Sequence, residues 1–374
     1  MMREAMDAYV ERGEIPGIVT ATVRGGEVEI NELGTTSLGG SDAMRSDTIF
    51  RVASMTKPVV AVAAMTLVED GVLGLDDAVD DHLPELADRR VLRRPDGPLD
   101  DTVPAARPIT LRDLLTFRMG FGMSPAVPLD APIMVSASER QVNVAPPKTL
   151  PELTAREWLA RFGELPLMFQ PGEQWAYHTS ATVLGILISR AAGRKLDDYL
   201  RERVFAPLEM RDSGFAVPAG KRDRFATQYG VDPDSGKLVV FDGPGDDSKW
   251  AQVPPSPDGG ADLLSTVDDY LAFARMLASG GGEILSPASV SQMITDQLAP
   301  GQSTFDPGTG WGFGMSVMRS GEHAGEYGWS GGTGTCWFND PAADLVAILL
   351  TQRMWDSPQP PPVVRDFVAA AYAG

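Results

Sequence analysis

Ser54-Met55-Thr56-Lys57 is the only place in this chain where a serine stands three residues before a lysine. Residues 58–68, which follow, are apolar and rich in alanine, and this run predicts a buried helix. Residues three apart on a helix share a face, so one turn at the head of this helix places a hydroxyl beside an amine. The N-terminus of a helix also favours an anion. The motif therefore predicts a nucleophilic serine that gives its proton to a neighbouring base.

Two later segments accompany this motif. Residues 177–179 read Tyr-His-Thr ahead of a helix-like run, and residues 329–332 read Trp-Ser-Gly-Gly among strand-like segments. In this order and at these distances, the three segments resemble the serine β-lactamase and penicillin-binding-protein superfamily. Within it the chain looks most like the family VIII carboxylesterases, which are serine hydrolases similar to class C β-lactamases. The resemblance covers nearly the whole chain, including residues 48–53, 109–116 and 259–266.

This resemblance implies a reaction through an acyl-enzyme. Ser54 would attack a carbonyl carbon, Lys57 and Tyr177 would move its proton, and Tyr177 would protonate the leaving alcohol. The base is either a Tyr177 phenolate, with a pKa lowered from about 10 by a nearby ammonium, or a neutral and desolvated Lys57. The backbone N–H groups of Ser54 and Gly332 would form the oxyanion hole, each donor lowering the barrier by roughly 2.7–4 kcal/mol.

We expect substrate contacts from Trp329, Ser330, Gly331, Thr179 and His178. Trp329 stands where lactamases usually carry the lysine that recognises a substrate carboxylate, and Thr179 stands where they carry asparagine. His178 has no role in the family pattern and is interpreted as a wall residue of the site. Because tryptophan is uncharged, an apolar surface replaces the cationic anchor. We therefore expect a carboxylesterase that acts on short- to medium-chain esters.

Other functions remain open on the sequence: a β-lactamase, a D-amino peptidase-like amidase, an acyltransferase or a non-catalytic penicillin-binding-like protein. Residues 328–332 also fit the G-x-S-x-G elbow of α/β-hydrolases. That elbow needs a helix directly after the serine and a later histidine. Glycines and strand-like residues follow Ser330 instead, and no histidine occurs after His323. The three histidines are scattered, so we expect no metal, and the chemistry calls for no cofactor.

Composition sets the expected partners and location. A net charge of −19 argues against binding to nucleic acid or to an anionic membrane, so the expected partner is a small-molecule ester. No run is long enough to span a bilayer, and residues 1–13 are charged and helix-like, unlike a signal peptide. The single cysteine, Cys336, fits a reducing compartment. We therefore expect a cytoplasmic enzyme; the oligomeric state is open.

The order of the sequence patterns predicts an α/β fold of the α+β type. Residues 1–58 and 286–374 would together form an antiparallel sheet flanked by helices, and residues 59–285 would form a mostly helical lobe. Two long irregular stretches, 120–148 and 241–260, would line the site. The predicted helices are 4–12, 58–68, 155–162, 181–192, 196–204, 267–277 and 363–372; the predicted strands are 18–24, 27–33, 312–318, 335–339 and 343–351.

Overall fold

The computed structural model describes residues 1–142, 153–357 and 359–374. Its helices are α1 (Met2–Glu11), α2 (Thr56–Glu69), α3 (Leu111–Leu115), α4 (Pro132–Glu139), α5 (Ala155–Gly163), α6 (Thr179–Ala192), α7 (Leu196–Leu200), α8 (Val267–Ala278), α9 (Pro287–Met293) and α10 (Pro362–Ala373). Its strands are β1 (Gly17–Arg24), β2 (Glu27–Gly34), β3 (Phe50–Arg51), β4 (Arg90–Leu92), β5 (Thr102–Pro104), β6 (Gln228–Val231), β7 (Leu238–Asp242), β8 (Leu264–Ser265), β9 (Thr309–Trp311), β10 (Ser316–Met318), β11 (Tyr327–Gly331), β12 (Thr335–Asp340) and β13 (Leu345–Thr351).

In the part of the chain that the structure describes, seven strands form one antiparallel sheet in the order β2-β1-β13-β12-β11-β10-β9. Strands from both ends of the sequence are neighbours in this sheet, where Ile18 of β1 pairs with Thr351 of β13. The predicted fold class, an antiparallel sheet with flanking helices, is confirmed. The division of the chain at residues 58 and 286 stays a prediction.

Helices cover both faces of this sheet. Leu349 packs with Met6 of α1 and Phe367 of α10 on one face. Its neighbour Ile348 points the other way, into the core that contains Phe273 of α8. Every residue of β13 is buried, as expected for a central strand that is covered on both sides.

Helix α2 is buried on almost all sides, from Thr56 through Leu67. A helix that is apolar all round belongs in the interior, and α2 packs against α6. The head of α2 is therefore held by surrounding packing, which gives a rigid base to the residues just before it. Within the described ranges, none of the helices combines the length and the apolar character needed to cross a membrane.

The predicted strand 312–318 is wrong in its first half. Residues 312–315 form the turn between β9 and β10, which pair antiparallel with Ser316 opposite Trp311. The N–H of Gly312 donates to the Met315 carbonyl at 2.9 Å, and Gly314 has a φ of +75°, a conformation that favours glycine. A continuous apolar pattern concealed this turn. Thr266 caps α8 by accepting from the Asp269 N–H.

The predicted loop 120–148 contains α4, and its last residues, 143–148, lie outside the described residues. The predicted helix 196–204 is α7 followed by a π-helical turn, Arg201–Phe205. The loop predicted at 241–260 begins inside β7, which pairs with β6 in a hairpin that the sequence did not reveal.

Arg51 of β3 anchors the chain three residues before Ser54. Its guanidinium is buried, pairs with the buried Asp242 carboxylate, and stacks on the rings of Phe225 and Trp250 at 3.8 and 4.9 Å. Burial lowers the pKa of Arg51 from 12.5 to about 10. A buried ion pair is destabilising to break because the remaining charge is left without compensation.

We expect Arg51→Met to lower the free energy of unfolding by about 3–5 kcal/mol, since it leaves the Asp242 carboxylate buried without its partner. Chemical denaturation measures this loss. The matched control is Arg93→Met, which removes an exposed ion pair to Asp101 and should cost no more than about 1 kcal/mol. Equal effects of the two substitutions would show that the buried pair does not anchor β3.

Candidate active site

Ser54 lies in a short 3₁₀ turn, Ala53–Met55, directly before α2. The side chain is buried, and the preceding residue, Ala53, has a φ of +42°, which is unusual for a residue that is not glycine. The Val52 N–H donates to the Leu263 carbonyl at 3.0 Å and fixes the entry to this turn. A strained turn ahead of a buried helix therefore presents the Ser54 hydroxyl.

Lys57 brings its amine to this hydroxyl, as the spacing in the sequence predicts. Its Nζ lies 2.9 Å from Ser54 Oγ and donates to the Gly260 carbonyl at 2.6 Å. The same nitrogen lies 3.2 Å from Nδ1 of His178 and 4.6 Å from the ring centre of Tyr177. The amine is thus buried in contact with Ser54, Gly260 and His178, and it lies over the Tyr177 ring.

Tyr177 lies next to Ser54, in the segment that leads into α6. Its backbone pairs with Met123, whose N–H donates to the Tyr177 carbonyl at 2.9 Å, so the 120–148 stretch does reach the site. Burial raises the pKa of the phenol to about 12, and hydrogen bonds with Ser54 and Trp329 oppose that rise. Burial thus favours the protonated form of the phenol.

Trp329 of β11 donates its indole N–H to the Tyr177 oxygen at 2.8 Å. The ring is half-buried and packs against Trp311 at 4.7 Å. The residue thus lies at the site, within contact of Tyr177.

Gly331 ends the same strand beside the serine turn. A Cβ there would lie 2.3 Å from the Val52 carbonyl oxygen, so only glycine lets β11 approach Ser54 this closely. Gly332 follows with open space around its α-carbon, and Ser330 is half-buried. The Gly331–Gly332 segment thus lies beside the Ser54 turn, and the oxyanion hole expected from the N–H groups of Ser54 and Gly332 stays a prediction.

His178 and Thr179 have positions that differ from those expected. Both side chains have 0% of their surface exposed, so neither forms a wall that a substrate could touch in this structure. Thr179 is the first residue of α6, and the His178 imidazole contacts the Lys57 amine.

The backbone at His178 is a γ-turn with φ of +82° and ψ of −61°, closed by the Thr179 N–H donating to the Tyr177 carbonyl at 3.2 Å. Such a turn stores on the order of 1–3 kcal/mol of strain.

Aromatic side chains surround Tyr177, and the sequence did not single them out. Trp175 stacks on the Tyr177 ring at 5.7 Å, while Phe305 meets that ring edge-on at 5.6 Å. Trp311 packs against Phe117 at 4.7 Å and completes the cluster. Trp175 lies two residues before Tyr177, which was the one available signal, because alternate residues of an extended segment share a side. We call these residues, with Trp329, the aromatic cluster.

Comparisons with known proteins agree with this geometry. The family model described as Beta-lactamase matches residues 2–371. Protein Rv1367c of Mycobacterium tuberculosis is 36% identical over 95% of this chain and 89% of its own length. Esterase EstB of Burkholderia gladioli is 29% identical over 97% of this chain and 93% of its own.

Among solved structures, EstCE1, a hydrolase with promiscuous acyltransferase activity, superposes with a TM-score of 0.82 at 26% identity. The superposition covers 99% of this chain and 97% of that one. Because the family match spans nearly every residue and the relatives include a named esterase, the chain belongs to the β-lactamase family, as a serine hydrolase or acyl-transferring member of it.

Proposed function

We propose that this protein is a carboxylesterase that cleaves short- to medium-chain esters through an acyl-enzyme on Ser54. The observation that carries the proposal is the Trp329 indole, which donates to Tyr177 from the position where lactamases usually place a lysine. The cytoplasmic location expected from the single cysteine remains part of this proposal.

The proton movements follow from the contacts of Ser54. As Oγ forms its bond to the ester carbonyl carbon, its proton passes to Lys57 Nζ, which lies 2.9 Å away. The carbonyl oxygen gains negative charge and is stabilised by the N–H groups of Ser54 and Gly332. The carbon–oxygen bond to the alcohol then breaks, and Tyr177 gives its proton to the departing alkoxide while Lys57 returns one to the phenol.

The raised pKa of Tyr177 suits this role. A phenol with a pKa of about 12 stays protonated near neutral pH, yet it is still a stronger acid than an aliphatic alcohol. Water then attacks the acyl-enzyme with the same groups acting in reverse.

The polarity of the site supports a neutral substrate. The aromatic cluster presents apolar surface next to Tyr177, and Phe305 leaves 47% of its own surface exposed there. Arg353, which could have supplied a substitute cation after β13, pairs with Asp356 at 3.2 Å. An ester with an apolar acyl or alcohol group matches these surroundings better than a carboxylate does.

Acyl transfer is the second candidate, and the aromatic cluster is the observation that favours it. The same acyl-enzyme can be captured by an alcohol that packs on this apolar surface in competition with water. Product ratios with and without an added alcohol acceptor would separate transfer from hydrolysis.

We expect Ser54→Ala to abolish p-nitrophenyl ester hydrolysis and Ser330→Ala to keep most of it, because the Ser54 hydroxyl lies 2.9 Å from the Lys57 amine that would take its proton. Mass spectrometry after treatment with a fluorophosphonate should place the adduct on Ser54. An adduct on Ser330 would overturn the assignment of the nucleophile.

Tyr177→Phe should lower kcat/KM for esters by about 10²–10⁴-fold, since it removes the proton donor but keeps the ring in the aromatic cluster. Lys57→Ala should cause a comparable loss, and the double variant should be little worse than either, because the groups act as a unit. The control is Tyr199→Phe, which removes a hydroxyl that contacts only Thr66 among the hydrogen bonds described. Near wild-type turnover by Tyr177→Phe would make Tyr177 a packing residue.

We expect Trp329→Lys to raise cephalosporin turnover relative to ester turnover, by restoring a charged partner for a substrate carboxylate worth roughly 1.5–3 kcal/mol. Trp329→Phe is the matched control, because it removes the indole donor to Tyr177 without adding a charge. Chromogenic cephalosporin and p-nitrophenyl ester assays in parallel give the ratio. Wild-type turnover of cephalosporins as efficient as that of simple esters would contradict the substrate class.

A further inference from the structure

His178 connects Lys57 to a buried carboxylate that the mechanism above does not use. The ring is fully buried, with Nδ1 at 3.2 Å from Lys57 Nζ and Nε2 at 3.4 Å from Oδ2 of Asp258. The order of groups is therefore carboxylate, imidazole, amine and hydroxyl, from Asp258 through to Ser54.

The contacts of Lys57 give this order a direction. Because a carboxylate faces Nε2, the proton of the neutral imidazole belongs on Nε2, and Nδ1 is left as an acceptor. The Gly260 carbonyl is a second acceptor, 2.6 Å from Nζ. A neutral amine that donates to Nδ1 and to this carbonyl can direct its lone pair toward Ser54 Oγ, which lies 2.9 Å away.

Asp258 is itself held in place. Its Oδ1 accepts from the Thr182 hydroxyl at 2.6 Å and from the Gly260 N–H at 3.0 Å, which leaves Oδ2 to face the imidazole. Its own backbone N–H donates to Asp262 at 2.6 Å. The carboxylate is thus fixed by α6 and by the loop that also supplies the carbonyl for Lys57.

The backbone on both sides is shaped to bring these groups together. The γ-turn at His178 places the imidazole ring against Lys57. Its positive φ is unfavourable for a non-glycine residue. Opposite it, a Cβ on Gly260 would lie 3.0 Å from Cε1 of His178, so glycine allows the loop to close over the ring. Strain that persists at one residue beside a catalytic group points to a function for that residue.

We propose that His178, backed by Asp258, is a positioning residue that aims the Lys57 lone pair at Ser54 and stabilises the ammonium formed when Lys57 takes the proton. The proposal rests on the proposed function of Ser54 and Lys57. The proton moves from Ser54 Oγ to Nζ as the Oγ–carbon bond forms, and the imidazole stays neutral. The negative charge of Asp258 then faces the new positive charge across the ring.

The groups that face His178 define the expected pH dependence. They are Lys57 from α2, Tyr177 with its ring centre at 6.0 Å, and Asp258, with Asp262 behind it. The Asp258 charge favours the protonated amine, so removing it should let Lys57 lose its proton at lower pH. The acidic limb of the rate profile should then move to lower pH, and the plateau should fall because the base is weaker.

The test measures the rate at which a neutral fluorophosphonate labels Ser54, as a function of pH, with the site of labelling mapped by mass spectrometry. His178→Phe keeps a ring but removes the acceptor, and it should slow labelling by about 10²-fold. His178→Asn places an amide oxygen near the position of Nδ1 and tolerates positive φ, so it should recover labelling to within about tenfold of wild type. Asp258→Asn should shift the acidic limb down by about one pH unit.

The control is His323→Asn, at a partly exposed histidine that pairs with Asp340. It should leave the profile unchanged. An unmoved acidic limb in Asp258→Asn would overturn the proposal, even if His178→Phe failed to fold, and would leave Ser54 as the nucleophile. Labelling of the wild type at a residue other than Ser54 would instead overturn the proposed function, and the positioning role with it.

Discussion

The Lys57 side chain has 1% of its surface exposed, and taking an amine out of water is unfavourable by several kcal/mol when it is charged and uncompensated. The site is organised around this burial. The Gly260 carbonyl, the His178 imidazole and the Ser54 hydroxyl all lie within 3.2 Å of Nζ and come from three different segments of the chain. Packing that displaced any of the three segments would leave the amine poorly solvated, so the fold and the reactivity of the amine are linked.

Two strained residues flank this amine. Ala53 and His178 both have positive φ; Ala53 precedes Ser54, and His178 follows Tyr177, which hydrogen-bonds the Ser54 hydroxyl. Strain of this kind persists only when the surroundings fix the chain on both sides. Arg51 and β3 hold the first position, and the paired backbones of Tyr177 and Met123 hold the second.

Some of these features could be predicted from the sequence, and others could not. The Ser54–Lys57 contact follows from helical spacing alone, and the central sheet follows from strand patterns at both ends of the chain. Tyr177 and Trp329 were identified through family resemblance, since no local rule joins them. The burial of His178 was not predictable, because it depends on an unusual backbone turn and on the distant Asp258 loop. The turn at Gly314 was missed because an unbroken apolar pattern does not reveal a reversal of direction.

The pairing of β1 with β13 has a consequence for biosynthesis. Strand β1 pairs with β13, so β1 lacks this neighbour until residues 345–351 have left the ribosome. The β1–β2 hairpin and the apolar helix α2 must wait through most of translation without the strands that complete their core. Contacts that are so distant in sequence slow folding and expose unpaired strand edges. The nascent chain is therefore a natural client for chaperones that shield such edges until synthesis is complete.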